Sequence, residues 1–462
     1  MRIESAFILA AGIGEKLKPF TETLPKPSIP IGNKPIIRHI VETVKQFSIN
    51  NIYLIVPPEH SQIKKDLRGL EEVEFIIQNK PLGTAHALKT ALEEVRKDIE
   101  DRWLVVYGDI VSAKENYEII LNEASKRRGE CVVLATKLNR ERPNDWICCR
   151  VREKRIEQII AHPRHSVSHR LVGIYVLSEK IIPYLEITPE FMSHIPVGVM
   201  PPKEYFLEES MAMMIDDGEE ILAVEPSNFI VDVDKPWHIL EANKEYLKYI
   251  GERLEKDLID PEAEVSERAE IYGHIVIGKN SKIGPNTVIR GNAFIGANAN
   301  IEHCIIGENV VIGDYARIGE YCKIWPQTSI GKRTRILHLA EVEGVIMDGV
   351  SVMHHAMIYG VIGRFTDIAA GTVVGNLRFD DNPPRMRIRK RREFPPRIAS
   401  AAYIGDYCRT GVNSMIMPGV RIGPYSIVGP GVIVYKDVPP RKLILPKQEL
   451  EIRDWGPEIY GW

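Results

Sequence analysis

Two lysines set among glycines and prolines near the start of the chain carry the clearest chemical signal. The run Leu9-Ala10-Ala11-Gly12-Ile13-Gly14-Glu15-Lys16 follows directly on an apolar stretch. Its small residues let backbone N–H groups approach an anion, and Lys16 can reach a phosphate oxygen. Further on, Leu24-Pro25-Lys26-Pro27 brackets a second lysine between two prolines. The stiffened backbone places that charge at little entropic cost. A glycine loop alone is a weak sign, but the combination points to a phosphorylated ligand.

Such residues need a scaffold that holds them at one edge. Apolar β-type runs at Ala6 to Ala10, Ile52 to Val56, Phe75 to Gln78, Trp103 to Tyr107 and Val132 to Ala135 alternate with helical patterns such as Ile36, Ile37, Ile40, Val41 and Val44. The alternation predicts a mostly parallel sheet covered by helices, a Rossmann-like α/β domain over residues 1–235. In open sheets of this kind ligands bind at the carboxyl ends of the strands. A helical linker is expected over 236–258.

Beyond it the pattern changes period. Isoleucine stands at Ile271, Ile277, Ile283, Ile289, Ile295 and Ile301, then after a shorter step at Ile306, Ile312, Ile318, Ile324, Ile330 and Ile336. Small residues such as Ser281, Ala293, Cys304 and Cys322 stand two before, and glycine often follows, as at Gly278, Gly296 and Gly313. A six-residue period of this kind predicts an all-β, left-handed parallel β-helix of hexapeptide repeats over 259–438. Glycine would serve a corner needing positive φ or close backbone approach. The non-periodic stretch 377–400, with Arg385, Arg387, Arg389, Lys390, Arg391 and Arg392 before Pro395-Pro396, must loop out of the prism. It is read either as a solvated surface or as a phosphate-binding element. The tail 439–462 carries Trp455, Tyr460 and Trp462, aromatic enough to dock on the solenoid or a partner.

Composition narrows the partners. With 60 basic and 63 acidic residues the formal charge is -3, which gives no global pull toward nucleic acid or anionic membrane. Six cysteines show neither metal-ligand spacing nor the density of a disulfide scaffold, so a reducing cytoplasm is expected.

The segment from Leu9 to Pro35 resembles the sugar-nucleotide pyrophosphorylases, whose signature is a glycine loop, a basic residue and Pro-Lys-Pro. Further matches follow in order. Gln78 with Leu82-Gly83-Thr84-Ala85-His86-Ala87 looks like the base-recognition segment. Tyr107-Gly108-Asp109 and Phe229-Ile230-Val231-Asp232-Val233 look like the two strand ends whose carboxylates hold Mg2+. The resemblance implies in-line attack of a sugar-1-phosphate on the α-phosphate of a nucleoside triphosphate, with pyrophosphate leaving. Leu9, Ala10, Ala11, Gly12, Gly14, Gln78, Gly83 and Thr84 would bind the nucleotide. Lys16 would stabilise the leaving pyrophosphate and Lys26 the attacking phosphate, with Asp109 and Asp232 as metal ligands.

Fused to a hexapeptide helix, the chain resembles the bifunctional sugar-1-phosphate nucleotidylyltransferase and glucosamine-1-phosphate acetyltransferase family, in its archaeal branch. That likeness implies a homotrimer, acetyl-CoA as a co-substrate between neighbouring helices, and His354 or His355 as the general base, with Asn376 near the sugar. Several positions depart from the family. Glu15-Lys16 replaces the usual Thr-Arg, and Ala161-His162-Pro163 replaces the sugar-binding Glu-Lys-Pro. Leu171 replaces an asparagine two residues before the sugar-site glycine, Gly173. Asn382 stands where the acetyl site has a lysine, and a second lysine is missing near Ala399. Two readings therefore stay open: an enzyme making a UDP- or dTDP-sugar with a degraded acetyl-transfer site, or a catalytically silent regulatory or scaffolding subunit that binds nucleotide sugars.

Overall fold

The computed structural model describes residues 3–456 apart from 71, 97–98, 128, 139–141, 196–202 and 390. Lys390 of the basic run and Tyr460 and Trp462 of the tail lie outside the described residues. The first part of the chain forms β1 (Ser5–Leu9), β2 (Pro30–Ile31), β3 (Lys34–Pro35), α1 (Ile36–Lys45), β4 (Asn51–Val56), α2 (Ser61–Asp66) and β5 (Val73–Ile77). Next come α3 (Thr84–Val95), β6 (Arg102–Tyr107), β7 (Ile110–Ser112), α4 (Lys114–Lys126) and β8 (Cys131–Lys137). They are followed by β9 (Ile147–Arg152), β10 (Arg155–Ala161), β11 (His169–Ser178), α5 (Ile182–Ile187) and α6 (Leu207–Asp216). The short strands β12 (Ile221–Val224) and β13 (Ile230–Asp232) lead into α7 (Pro236–Gly251).

Nine of these strands form one sheet in the order β5-β4-β1-β6-β11-β8-β12-β10-β9. β5, β4, β1 and β6 run parallel, so Ile77, Val56, Leu9 and Tyr107 reach the same edge. β11 is inserted antiparallel between β6 and β8, and β10 runs antiparallel to both β12 and β9. The sheet is thus mixed, where the apolar runs predict a mostly parallel one. The reason is physical: β11 is buried at every position, and a strand covered on both faces shows an unbroken apolar run that does not encode its direction.

α1 buries Ile36, Ile37, Ile40, Val41 and Val44 as its period requires, and follows directly on Pro35, whose extended backbone ends β3. On its other side His39 places Nε2 2.9 Å from the Ile31 carbonyl and meets the Tyr246 ring edge-on at 4.5 Å. Burial pushes its imidazole down from 6.5 to about 4. The unfolded chain therefore holds a proton that the folded chain lacks between those values, so stability is full above pH 6.5 and falls as the pH drops through the window. Replacing His39 with glutamine is expected to remove a slope worth on the order of 3 kcal/mol at its acid end. Thermal unfolding scans between pH 4 and 7 check this.

The second part winds as a parallel β-helix in which positions three repeats apart pair: Ile277 with Ile295, Ile295 with Ile312, Ile312 with Ile330, and Ile330 with Ile346. The repeated isoleucines fill the prism, with Cys304 and Cys322 among them as small core residues. All six cysteines are buried, and none of them forms a disulfide. The repeat glycines answer to close approach: a Cβ on Gly278 or Gly313 would stand 2.7 Å from the backbone nitrogen of the next coil. Positive φ falls instead on corner residues such as Asn280, Asn286, Asn298 and Asn309, a conformation asparagine tolerates well.

The two parts share a core. One apolar cluster joins Phe20, Leu24, Trp237 and Leu240 of the first to Val345, Met347, Val361 and Tyr403 of the second. Asn33 Nδ2 donates to the Ile330 carbonyl at 2.5 Å, and Asn243 accepts from Gly32 N while donating to the Gln327 carbonyl at 3.0 Å. The stretch after Gly375 leaves the prism, as Ile362 pairs with Ile404 in the next coil. The arginines of its basic run stay exposed, but part of the stretch packs back on the protein. Met386–Ile388 and Arg391–Glu393 form an antiparallel hairpin, and Met386 and Ile388 are buried in the shared cluster. Glu393 meets Lys235 in a buried pair at 3.0 Å, Arg391 reaches Asp145 at 3.0 Å, and the Arg142 guanidinium lies 4.5 Å over the Phe394 ring.

Candidate active site

At the carboxyl edge of β1, β6 and β5 a cleft of about 450 Å³ opens, lined by Leu9 to Lys16, Lys26, Gln78, Gly83, Thr84, Asp109 and Asp234 among others. The glycine loop is held in place by Gly14, whose φ of 70° is left-handed. Thr21 Oγ1 donates to its carbonyl at 2.7 Å. A Cβ on Gly14 would stand 2.9 Å from Thr21 Cγ2, whereas one on Gly12 would meet nothing within 4 Å, so Gly12 leaves the loop open to a ligand. Gly108 lets β6 pass under the loop: a Cβ there would press on Ala10 at 2.9 Å.

Asp109 and Asp232 are distant in sequence and adjacent in space because β7 and β13 pair antiparallel, with Val233 N donating to the Asp109 carbonyl at 3.0 Å. Between and beside them stands Lys26, whose Nζ donates to Asp109 and lies 3.5 Å from Asp234. Burial by itself opposes the charge on Lys26, but Asp109, Asp234 and Asp232 outweigh it and keep the ammonium protonated. Lys16 donates to Asp234 at 2.8 Å. Burial would raise Asp234, yet Lys16 and Lys26 hold it well below the usual carboxylate range. Asp232 is pushed up, by burial first and by Asp109 second.

The carboxylate oxygens Asp109 Oδ1 and Asp232 Oδ1 are both buried with no hydrogen-bond partner. Orphaned buried acceptors are costly, and two on neighbouring strands suit a divalent cation. Among the described residues no group of three or more His, Cys, Asp or Glu could hold a metal. An ion here would therefore complete its shell with substrate phosphates and water, which is the habit of Mg2+. The residues fit the group.

On the other wall, Gln78 is buried and donates through Nε2 to the Gly83 carbonyl at 3.2 Å and to His86 Nδ1 at 2.9 Å. Burial pushes His86 down, in keeping with its role as the acceptor. Gly83 precedes α3 with φ of 121°, and a Cβ there would stand 2.5 Å from the Tyr205 carbonyl. Thr84 Oγ1 accepts from Leu207 N at 2.9 Å, tying the segment to α6.

Gly173 is set behind the cleft wall. With φ of 69°, its Cβ would press on the ring of Tyr107, which lines the cleft. Leu171 and Ala161 are buried, and His162 places Nδ1 3.1 Å from the Asn144 carbonyl. Asn376 belongs to a separate cavity of about 450 Å³ between α7 and the β-helix, with Tyr359, Glu343 and Lys244. Neither His354 nor His355 lines it. Both are exposed at a β-helix corner with positive φ; His354 Nδ1 contacts His338 Nδ1, and the His355 ring lies 5.7 Å from that of His338.

Asp234 and Arg389 join the cleft without the sequence having placed them there. Asp234 stands two after Asp232, past the end of β13, where its N–H donates to the Asp232 carbonyl at 3.1 Å, so a tight turn brings it to the cleft. Arg389, which lines the same cleft with Nη2 2.9 Å from Glu15, belongs to the basic run of the β-helix insertion, for which the sequence leaves solvent and phosphate both open and does not indicate this cleft.

Residues 5–248 match the nucleotidyl transferase family, and residues 286–320 and 401–436 match bacterial transferase hexapeptide repeats. A protein of Methanococcus maripaludis, bifunctional protein GlmU, is 33% identical over 97% of this chain and 98% of its own. A bifunctional sugar-1-phosphate nucleotidylyltransferase/acetyltransferase of Sulfurisphaera tokodaii is 29% identical over 94% of this chain and 98% of its own. A mannose-1-phosphate guanyltransferase of Aspergillus oryzae is 27% identical over 56% of this chain and 68% of its own.

Proposed function

The chain belongs to the nucleotidyl transferase family, in its bifunctional hexapeptide-bearing branch, and is a sugar-1-phosphate nucleotidylyltransferase; from that premise we propose that it makes a UDP- or dTDP-sugar, with UTP the favoured donor. The observation that carries the proposal is the pairing of Lys26 with Asp109 and Asp234 beside the two orphaned carboxylate oxygens, at the mouth of a glycine loop. In this reading the glycine-loop N–H groups cradle the triphosphate, Lys16 faces the leaving pyrophosphate, and Lys26 holds the attacking sugar phosphate in line. Mg2+, when bound at Asp109 and Asp232, supplies neutralisation of charge on the α-phosphate. Positioning and fixed charge then supply most of the rate, since no protein nucleophile is needed. Gln78 and the Gly83-Thr84 backbone present the base-reading surface.

We assign the β-helix an oligomerising role, in a homotrimer. Met357, Val373, Met415 and Ile433 stack in register as an exposed apolar ladder suited to a neighbouring copy. Acetyl transfer from acetyl-CoA is read as degraded, because Asn382 stands in place of a lysine and a second lysine is missing near Ala399, which leaves a sugar phosphate without those cations. The silent-subunit reading draws on Glu15, a negative charge in a phosphate loop.

The test is to incubate the protein with Mg2+, each common nucleoside triphosphate and a panel of sugar-1-phosphates including N-acetylglucosamine-1-phosphate, with pyrophosphate release and product mass as readouts. Release that requires UTP or dTTP and one sugar supports the proposal. Silence across the panel with nucleotide sugars still binding would move the assignment to the silent subunit.

A further inference from the structure

The phosphate loop contains Glu15 immediately before Lys16, and Lys16 is engaged by Asp234 at 2.8 Å. On its own the loop would meet a triphosphate with a free carboxylate and a lysine already paired. Across the cleft stands Arg389, at the turn of the inserted hairpin, 2.9 Å from Glu15 Oε2. We propose that Arg389, supplied by the β-helix, is a phosphate-binding residue of the nucleotidyl-transfer cleft, one edge of its guanidinium held by Glu15 and the other donors facing the outer phosphates of the nucleoside triphosphate.

Three observations carry this. Arg389 is a wall of the same cleft as Lys16, Lys26 and Asp109. Its hairpin is fastened by the buried Lys235–Glu393 pair, the Arg391–Asp145 pair and burial of Met386 and Ile388, so the residue is aimed, unlike a side chain on a solvated loop. Its φ of 53° marks a turn position where asparagine or glycine would serve the backbone better, so an arginine there does nothing for the turn. Guanidinium is also the group best able to serve a carboxylate and a phosphate at once, through separate pairs of its five donors. Glu15 becomes the anchor of a cation borrowed from the other domain.

The inference rests on the nucleotidyl-transfer reading of this cleft, and the wild-type chain separates the two. If it releases no pyrophosphate with any substrate pair, that reading fails, and the part played by Arg389 is read from the Kd of Mg2+-UTP measured by calorimetry. In the full chain, Arg389→Ala is expected to raise KM for the triphosphate, and for pyrophosphate in the reverse direction, by about tenfold or more. KM for the sugar-1-phosphate should stay put. Arg389→Glu should do worse, Arg389→Lys should recover part of the loss, and Arg385→Ala, in the same insertion, should match wild type. The double variant Glu15→Gln/Arg389→Ala is the discriminating one: it should stay impaired. Full recovery in it would mean that Arg389 only neutralises Glu15, and would overturn the proposal. So would an Arg389→Glu protein whose triphosphate KM lies within about twofold of wild type, or one in which every parameter falls together with Tm.

Discussion

Replacing Asp109 with alanine is expected to lower magnesium-dependent pyrophosphate release by roughly a thousandfold, the scale seen when a preorganised charge at a transition state is removed. The fold should survive, because the strand pairing beside Asp109 uses its main-chain carbonyl, which accepts from Val233 N and is untouched. Lys26 also keeps a partner in Asp234 at 3.5 Å. The loss should fall on kcat, with sedimentation showing the oligomer unchanged. Titration with Mn2+, followed by its electron-spin signal, should show a weakened site. Equal turnover in the variant would remove Asp109 from the metal assignment.

The second large effect is expected at Lys26. The variant Lys26→Met keeps the volume and removes the charge that Asp109, Asp232 and Asp234 surround. Breaking a buried ion pair from one side leaves its partners uncompensated, at a cost of roughly 3–5 kcal/mol. Tm should fall accordingly, and kcat by about a hundredfold or more, since an oriented cation on the attacking phosphate is gone. Added Mg2+ should raise the Tm of the variant more than that of wild type, because a second cation then meets the same oxygens. A variant as stable as wild type in the absence of Mg2+ would show that Lys26 does not hold these acids together.

Much of this site is readable from the sequence because it follows one rule: charges sit where parallel strands end. β1, β5 and β6 fall where apolar runs place them, and Lys26, Gln78 and Asp109 each follow a strand or a proline bracket. The repeats are legible because each isoleucine repeats one environment. What is not legible depends on long-range contact. The antiparallel insertion of β11 is invisible because burial on both faces erases the alternation that would betray it. The destination of the basic run is invisible too. Periodicity shows that 377–400 leaves the prism, but Arg389 meets Glu15 only because Met386 and Ile388 pack into a core assembled from both halves. Charge composition suggested either solvent or phosphate, and no local pattern chooses between them.

That common core bears on how the chain can be cut and recombined. A fusion of two independent modules tolerates truncation at its linker and exchange of either half. Here Val345, Met347, Val361, Met386 and Ile388 lie in the same apolar cluster as Phe20, Leu24 and Trp237. A fragment ending near residue 258 would present that surface to water, and a chimera with a foreign solenoid would have to rebuild it residue by residue. The two halves are bound to vary together: a drift in side-chain size on the solenoid is felt beside the glycine loop, and selection on the cleft constrains the solenoid beneath it.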